Sequence, residues 1–501
     1  MSSENTTYSQ FACIGAGFSG IGLGATLKRW YNITDVQIFE RHNNLGGTWY
    51  INQYPGCACD VPSALYSFSF EQKPDWTRIQ ADAGEIRAYL NAVANKYDLV
   101  RRIQFNTNVE RCEWIDERRR WRIRARHIES DEVFYHESRF LFAGTGLLSQ
   151  PRELDIPGTE TFTGPIFHAS RWRHDVELKN KEVIVFGNGC TAAQLLPAIL
   201  GDVKHVTQVI RSKHWMLPPI NARMHSLLRT VFFYIPPLMW LCRVLLFVFL
   251  EAGHRSFPLT ERGAKNRARD RNEAINYIKS TAPQKYHKLL IPDHEIGCKR
   301  RIIDSGYLKS LHSDKLTLTD EKVLKVVPEG IRTETGIKKA DLLILANGYK
   351  TGIFLPGIEM IGRGGTTLTQ HWDSIGGPEA YNCSAMSNFP NFFLLVGPNG
   401  ATGHQSAVLT VENSVNYALR IIYPVLDALD GVVELRREAE EKHSQQLQSS
   451  LDRTVFNTGC QSWYKPEYKG KKWNSMAYPW SQYYFWYRSV FPVWHDWKIS
   501  K

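Results

Sequence analysis

The stretch "FACIGAGFSGIGLGATLKRW" constrains this chain more than any other, because it runs from a short apolar strand into a glycine-rich turn and then a helical pattern. Its glycines follow the spacing Gly15-x-Gly17-x-x-Gly20, and the next strand, "VQIFE", ends at Glu40. Each position has a physical role. Gly15 permits the tight turn, Gly17 lets backbone approach a pyrophosphate, Gly20 lets helix pack on strand, and Glu40 accepts from a ribose hydroxyl. A chain that opens this way folds into an α/β unit with a dinucleotide at the helix N-terminus.

The pattern returns. "EVIVFGNGCTAAQLLPAIL" carries Gly187-x-Gly189-x-x-Ala192, again strand, turn and helix. The strand after it, "HVTQVIR", ends near Arg211 in place of an acidic residue. A carboxylate favours a free 2′-hydroxyl, whereas an arginine pairs with a 2′-phosphate. The first unit therefore reads as an FAD site and the second as an NADPH site. The fold class expected is α/β, with two Rossmann-like dinucleotide-binding domains and a helical insertion. The expected division is 1–150 for the first part of the FAD domain, 151–215 for the first part of the NADPH domain and 216–297 for the insertion. The second part of the NADPH domain follows at 298–340, and 341–501 returns to the FAD domain and ends in an aromatic tail.

Two further apolar strands end in small residues, "FLFAGTG" and "LLILANGYKTG". They read as crossings between domains beside a cofactor, with Asn347 and Gly348 on the cofactor side. "FFLLVGPNGATGHQSA" adds a third strand and turn, with Asn399 as a further candidate contact, and leads into the helix-like "VLTVENSVNYALRIIYPVLDAL". The N-terminus of that helix is expected to face a flavin edge.

The formal charge of +11 admits nucleic acid, an anionic cofactor or an anionic membrane face. No long Lys/Arg block accompanies it, so no nucleic-acid partner is expected. The nine cysteines form no CxxC pair, and Cys57 and Cys59 form only a CxC. No disulfide framework, redox-active pair or metal site is expected, and the localisation read from this is cytoplasmic. The start, "MSSENTTYSQ", is polar. "VFFYIPPLMWLCRVLLFVFL" (231–250) holds one charge, Arg243, and is broken by Pro236 and Pro237. The prolines leave about 13 apolar residues after them, expected to fall short of a bilayer core, so the run is expected to be a buried helix or lid, with a peripheral membrane contact as the alternative.

Three patterns now resemble the class B flavoprotein monooxygenases, and within them the Baeyer–Villiger monooxygenases. "FTGPIFHASRW" matches the family's Phe-x-Gly-x-x-x-His-x-x-x-Trp at Phe162, Gly164, His168 and Trp172, although Arg173 stands where the family has Pro or Asp. "GGTWYINQYPGCACD" matches a second pattern through Gly46, Gly47, Trp49, Tyr54, Pro55, Gly56 and Asp60. "KRRIIDSGY", from Lys299, matches a third. The resemblance covers about residues 11 to 464.

It implies an enzyme using FAD and NADPH as cofactors. NADPH reduces the flavin, a C4a-peroxyflavin forms with O2, and one oxygen is inserted next to a ketone carbonyl to give an ester or lactone. Arg300 and Asp60 are the implied catalytic pair, the arginine stabilising anionic oxygen and the carboxylate orienting it. Thr48 and Trp49, beside Gly47, are implied to lie near the flavin, and Lys299 joins Arg211 at the 2′-phosphate. Phe162, Gly164, His168 and Trp172 are implied to form a linker between the domains, with His168 bonded to backbone rather than acting as a base. Fourteen aromatics between Trp463 and Trp497 suggest walls for a bulky hydrophobic ketone of secondary metabolism. The alternatives are a flavin-dependent N- or S-oxygenase or a hydroxylase of the same class, or a nucleotide-binding protein without turnover.

Overall fold

The computed structural model describes residues 6–501, so half of the polar start read above, Met1–Asn5, lies outside the described residues. The first strand, Thr6–Ile14, is parallel to Val36–Phe39 on one side and to Val133–Ala143 on the other. Its inner residues Phe11, Ala12 and Cys13 are fully buried, as expected for a parallel strand covered on both faces. Ile103–Gln104 extends the sheet beyond Val36–Phe39. An antiparallel meander of Thr107–Ile115, Arg120–His127 and Val133–Ala143 extends it the other way. Phe392–Leu394 returns from far along the chain to lie parallel to Val133–Ala143, and Glu359–Ile361 closes the far edge.

The second sheet has five strands, all parallel, in the order Leu316–Thr319, His205–Val209, Glu182–Phe186, Leu342–Leu345 and Ile166–His168. A three-stranded antiparallel sheet spanning Val323–Lys339 packs beside it through Val326 and Ile331. The segment Ser226–Leu290 between the halves of this sheet is helical, with the helices Ser226–Tyr234, Pro236–Glu251 and Glu261–Thr281.

Phe162–Trp172, expected as a linker between the domains, contributes Ile166–His168 as the edge strand of the second sheet, in register with Leu343–Leu345. Two expectations are corrected. The 231–250 run forms two helices parted at Pro236, as its prolines dictate, but they are not buried: only Met239 and Arg243 are buried on the longer one. The cysteines are not all free, because Cys298 and Cys460 form a disulfide with Cα atoms 6.4 Å apart. These two are 162 residues apart, and only the fold brings them together.

The C-terminal tail wraps the first sheet. Trp497–Ser500 pairs antiparallel with Val432–Leu435. Trp497 enters the main core and Tyr478 stacks on Phe485 in a small core of its own.

Candidate active site: a cavity between two glycine turns

A single cavity of about 1660 Å³ runs from the first glycine turn to the second. That exceeds the ordinary range for one small ligand and suits two nucleotides end to end. At its first end, Gly15 has φ +105°, and a Cβ there would lie 2.6 Å from the Gly144 carbonyl oxygen. A Cβ on Gly20 would lie 2.1 Å from the Gly15 oxygen, so Gly20 serves packing and does not reach the cavity. Gly17 caps the helix Phe18–Tyr31 without any side chain on its first N–H groups. Those donors are free for an anion. Gly47, at φ +53°, lies against Gly17 and starts the short helix Thr48–Ile51, which carries Trp49 onto the wall. Trp49 donates to the Tyr66 hydroxyl at 3.2 Å. The Glu40 carboxylate accepts from the Ala16 N–H at 2.8 Å and the His42 N–H at 2.9 Å. It thereby locks the turn while remaining on the cavity wall.

The second turn repeats the geometry with one difference. Gly187 has φ +112° and touches the Ala346 carbonyl, whereas a Cβ on Gly189 would meet nothing within 4 Å. Gly189 leads the uncapped helix Cys190–Ile199 and leaves an open cradle before it. Ala192 is fully buried behind the turn and off the cavity.

The charge at this end is positive. Burial lowers the Lys299 ammonium pKa, and Arg211 lowers it further. Arg152 is lowered by the same two causes in the same order. Burial, with Lys299 second, lowers both His214 and His294 to about 4. His214 Nδ1 and His294 Nε2 are buried without a hydrogen-bond partner. The sequence reading missed Arg152, which neighbours Arg211, and His214 and His294, which neighbour Lys299; of these, Arg152 and His214 line the cavity.

Arg300 lines the same cavity. Its Nη2 donates to Asp60 Oδ1 at 2.7 Å and Oδ2 at 2.6 Å, and its Nε donates to Oδ2 at 3.1 Å. The carboxylate raises the Arg300 pKa well above the usual arginine value, so the guanidinium stays charged. The "YPG" turn holds Asp60 through the second nucleotide helix: Tyr54 donates its hydroxyl proton to Gln194 Oε1 at 2.8 Å, and Gln194 Nε2 donates to the Ala58 oxygen at 2.9 Å. Gln194 carried no sequence signal, since it sits within an ordinary helical pattern. The Cys298–Cys460 bridge fastens the Arg300 segment to the tail two residues before Arg300.

The remaining candidates divide. Asn347 and Gly348 line the cavity, and Asn347 Oδ1 is buried without a partner. Asn399 does not reach it; fully buried, its amide donates to the oxygens of Asn474 and Ala477 and clamps the tail. The N-terminal turn of the helix Ala407–Ile422 lines the cavity through Ala407, Thr410 and Val411, with Ser406 capping it by accepting from the Val408 N–H. Of the fourteen tail aromatics only Trp463 and Tyr464 line the cavity. His168 lies off it, accepting at Nδ1 from the Ser170 N–H at 3.1 Å, with Nε2 3.1 Å from the Gly348 oxygen. Burial lowers its pKa to about 4, which fixes the neutral form that donates from Nε2. A Cβ on Gly164 would lie 2.1 Å from the Asp341 oxygen, so only glycine fits there, while Phe162 packs near Val326 and Trp172 packs edge-on against Phe167. Arg173, the departure from the family pattern, pairs with exposed Asp175.

Comparison with known proteins agrees with this geometry. The flavin-binding monooxygenase-like family matches residues 9–227. A Baeyer–Villiger monooxygenase of Pseudomonas aeruginosa is 34% identical, over 92% of this chain and 86% of that protein. The FAD-binding monooxygenase ktnD of Aspergillus niger is 32% identical, over 91% of this chain and 76% of that protein. The structure of an oxidised steroid monooxygenase bound to NADP superposes with a TM-score of 0.82 at 25% identity, covering 98% of this chain and 99% of that one. The chain belongs to the flavin-binding monooxygenases of the Baeyer–Villiger type.

Proposed function

We propose that this enzyme uses FAD and NADPH to insert one oxygen of O2 beside the carbonyl of a bulky hydrophobic ketone, giving an ester or lactone in secondary metabolism. FAD fits the first turn, where Gly15, Gly17, Glu40, Gly47, Thr48 and Trp49 form the wall, and NADPH fits the second, at Gly187, Gly189, Arg211 and Lys299. The fit rests on two uncapped helix N-termini, the open cradle at Gly189 and the unpartnered buried nitrogen of His214. Segments 1–150 and the chain after Leu345 then form the FAD domain, and 151–215 with the chain from 298 through Leu345 form the NADPH domain, with 216–297 the insertion; the boundary expected at 340/341 moves because Leu342–Leu345 pairs inside the second sheet.

When bound, the flavin supplies oxygen activation and the nicotinamide supplies hydride. The chain's own part is electrostatic. Arg300 offers a permanent cation to negative charge developing on oxygen beside the substrate carbonyl. Asp60 holds the guanidinium plane through both carboxylate oxygens, so it orients and does not take a proton. His168 stays neutral and ties the Ile166–His168 strand to Gly348, which lines the cavity. Its influence is on how the two sheets sit about the cofactors.

The observation that carries this reading is the Arg300–Asp60 pair in the same cavity that both glycine turns line. The aromatic faces of Trp49, Tyr66, Trp463 and Tyr464 on the same cavity support a large apolar substrate. The test is an anaerobic titration of the FAD-loaded protein. NADPH should bleach the yellow flavin and admission of air should restore it, whereas a flavin that NADPH leaves oxidised would refute the reading.

A further inference from the structure

The helix Pro236–Glu251 is inside-out. Its single internal charge, Arg243, points into the protein, and its apolar residues point away. Arg243 is 5% exposed. Its Nη1 donates to the Ala64 oxygen at 2.6 Å, and its Nη2 lies 3.6 Å from Glu412 Oε2. Outward stand Trp240, Leu245, Val248 and Phe249, joined by Phe233 and Tyr234 from the preceding helix, all more than half exposed. No charged residue interrupts the run from Val231 to Leu250 on its outer side. A helix bathed in water would be selected for the opposite arrangement, since contiguous apolar patches of this kind are unusual on monomers.

The patch continues onto the tail. The Tyr483 N–H lies 3.4 Å from Glu251 Oε1, bringing the helix Gln482–Val490 against the end of the inside-out helix. That helix exposes Tyr483, Trp486 and Tyr487. Rings with one apolar body and one polar edge suit the boundary between hydrocarbon and headgroup.

Charge around the patch is one-sided. From residue 223 to 279 there are ten Lys or Arg and four Asp or Glu. Arg223 precedes the hairpin, and Arg255, Arg262, Lys265 and Arg269 follow it, all exposed. A second copy of this chain docking patch to patch would set this excess against itself. An anionic lipid surface would meet it with opposite charge.

We infer that the 226–251 helical hairpin and the aromatic face of Gln482–Val490 seat this enzyme on an anionic lipid bilayer as a peripheral, in-plane contact. The hairpin does not cross. One helix, Pro236–Ser256, is long and apolar enough to do so by length and composition, but it is held to the protein along its length. Arg243 fastens its middle to the body, and Glu251 fastens its end, accepting from His404 Nε2 at 3.0 Å and Gln405 Nε2 at 3.1 Å. Gln405 also lines the cavity, so the seated surface adjoins the cavity wall and a lipid-dissolved ketone has a short path inward. Only this last point rests on the hydrophobic-substrate reading.

The experiment uses the FAD-loaded full chain with sucrose-loaded vesicles, either of phosphatidylcholine alone or mixed with phosphatidylserine. The protein should pellet with the anionic vesicles and less with neutral ones, and added salt should weaken the binding. The variant Phe233→Ser/Trp240→Ser/Phe249→Ser changes only exposed positions. It should bind anionic vesicles at least about tenfold more weakly while NADPH still reduces its flavin at the same rate. Wild type that stays in the supernatant with both vesicle types overturns the inference, as does a variant that binds as well as wild type. A wild-type dimer that this variant dissociates, with no vesicle binding by either, would assign the patch to a second copy instead. Because flavin reduction is read separately, failure on vesicles leaves the catalytic reading standing, and failure of reduction leaves the docking result standing.

Discussion

Arg300 and Asp60 are 240 residues apart in sequence, yet Arg300 Nη2 lies 2.7 Å from one carboxylate oxygen of Asp60 and 2.6 Å from the other. Two segments from opposite sides of the second glycine turn thus deliver one oriented cation to the cavity. Everything proposed for oxygen transfer depends on that cation being charged, aimed and held.

Arg300→Ala should separate the two halves of the reaction. NADPH should still reduce the flavin, because the cations at the second turn are untouched, while product formation should fall by about two to three orders of magnitude, as when an oxyanion donor is lost. Asp60→Asn should give a smaller loss, since it keeps the shape but loses the charge pairing. Stopped-flow absorbance and product assay check both. Normal product yield from Arg300→Ala removes the arginine from the mechanism.

The cation cluster predicts a pH effect specific to the 2′-phosphate. His214, on the cavity wall, lies near pKa 4. An arriving phosphate dianion favours its charged form, so its pKa rises on binding and NADPH binding takes up protons. NADPH affinity should therefore strengthen as pH falls from 7 toward 5.5, and NADH affinity should not. Arg211→Ala should raise the KM for NADPH by about tenfold or more with little change for NADH. Calorimetry in two buffers of different ionisation enthalpy measures the proton uptake, and equal uptake for both nucleotides would contradict the assignment.

Gly15 and Gly189 should respond differently to alanine. At Gly15 the side chain meets the Gly144 carbonyl and a positive φ, so Gly15→Ala should lose stability and flavin together. At Gly189 there is room, so Gly189→Ala should fold within about 0.5 kcal/mol of wild type yet bind NADPH more weakly, because the methyl enters the cradle. Thermal melts with cofactor titrations distinguish them.

His168 should act on stability and leave the pH profile of the chemistry alone. Its pKa falls from 6.5 in the unfolded chain to about 4 in the fold. The unfolded state therefore binds the extra proton between those values. The stability is complete above pH 6.5, is lost as pH falls toward 4, and amounts to about 3 kcal/mol at most. His168→Ala should lower the melting temperature at pH 7.5, and the gap to wild type should narrow toward pH 4. A kcat profile shifted by this variant would instead mark His168 as an acid or base.

Much of this was legible because the chemistry is local. The two glycine turns, Glu40 and Arg211 sit at fixed offsets within a strand, a turn and a helix, so their places follow from sequence. Arg300 and Asp60 were legible only by resemblance to a family, since nothing in either segment names its partner. Asn399 misled because a glycine-rich turn beside a strand resembles a cofactor loop, whereas here its amide is consumed by carbonyls of the tail. The inward turn of Arg243 was illegible, because one charge in an apolar run does not tell which face is covered. The Cys298–Cys460 bridge was hidden for the same reason: 162 residues of folded chain decide it.

The most direct test supplies the FAD-loaded enzyme with NADPH, heavy-isotope O2 and a panel of bulky ketones. The account predicts an ester or lactone carrying one labelled oxygen at the inserted position, with one NADPH consumed per product. Oxygenation of sulfides or amines with every ketone returned unchanged would contradict it.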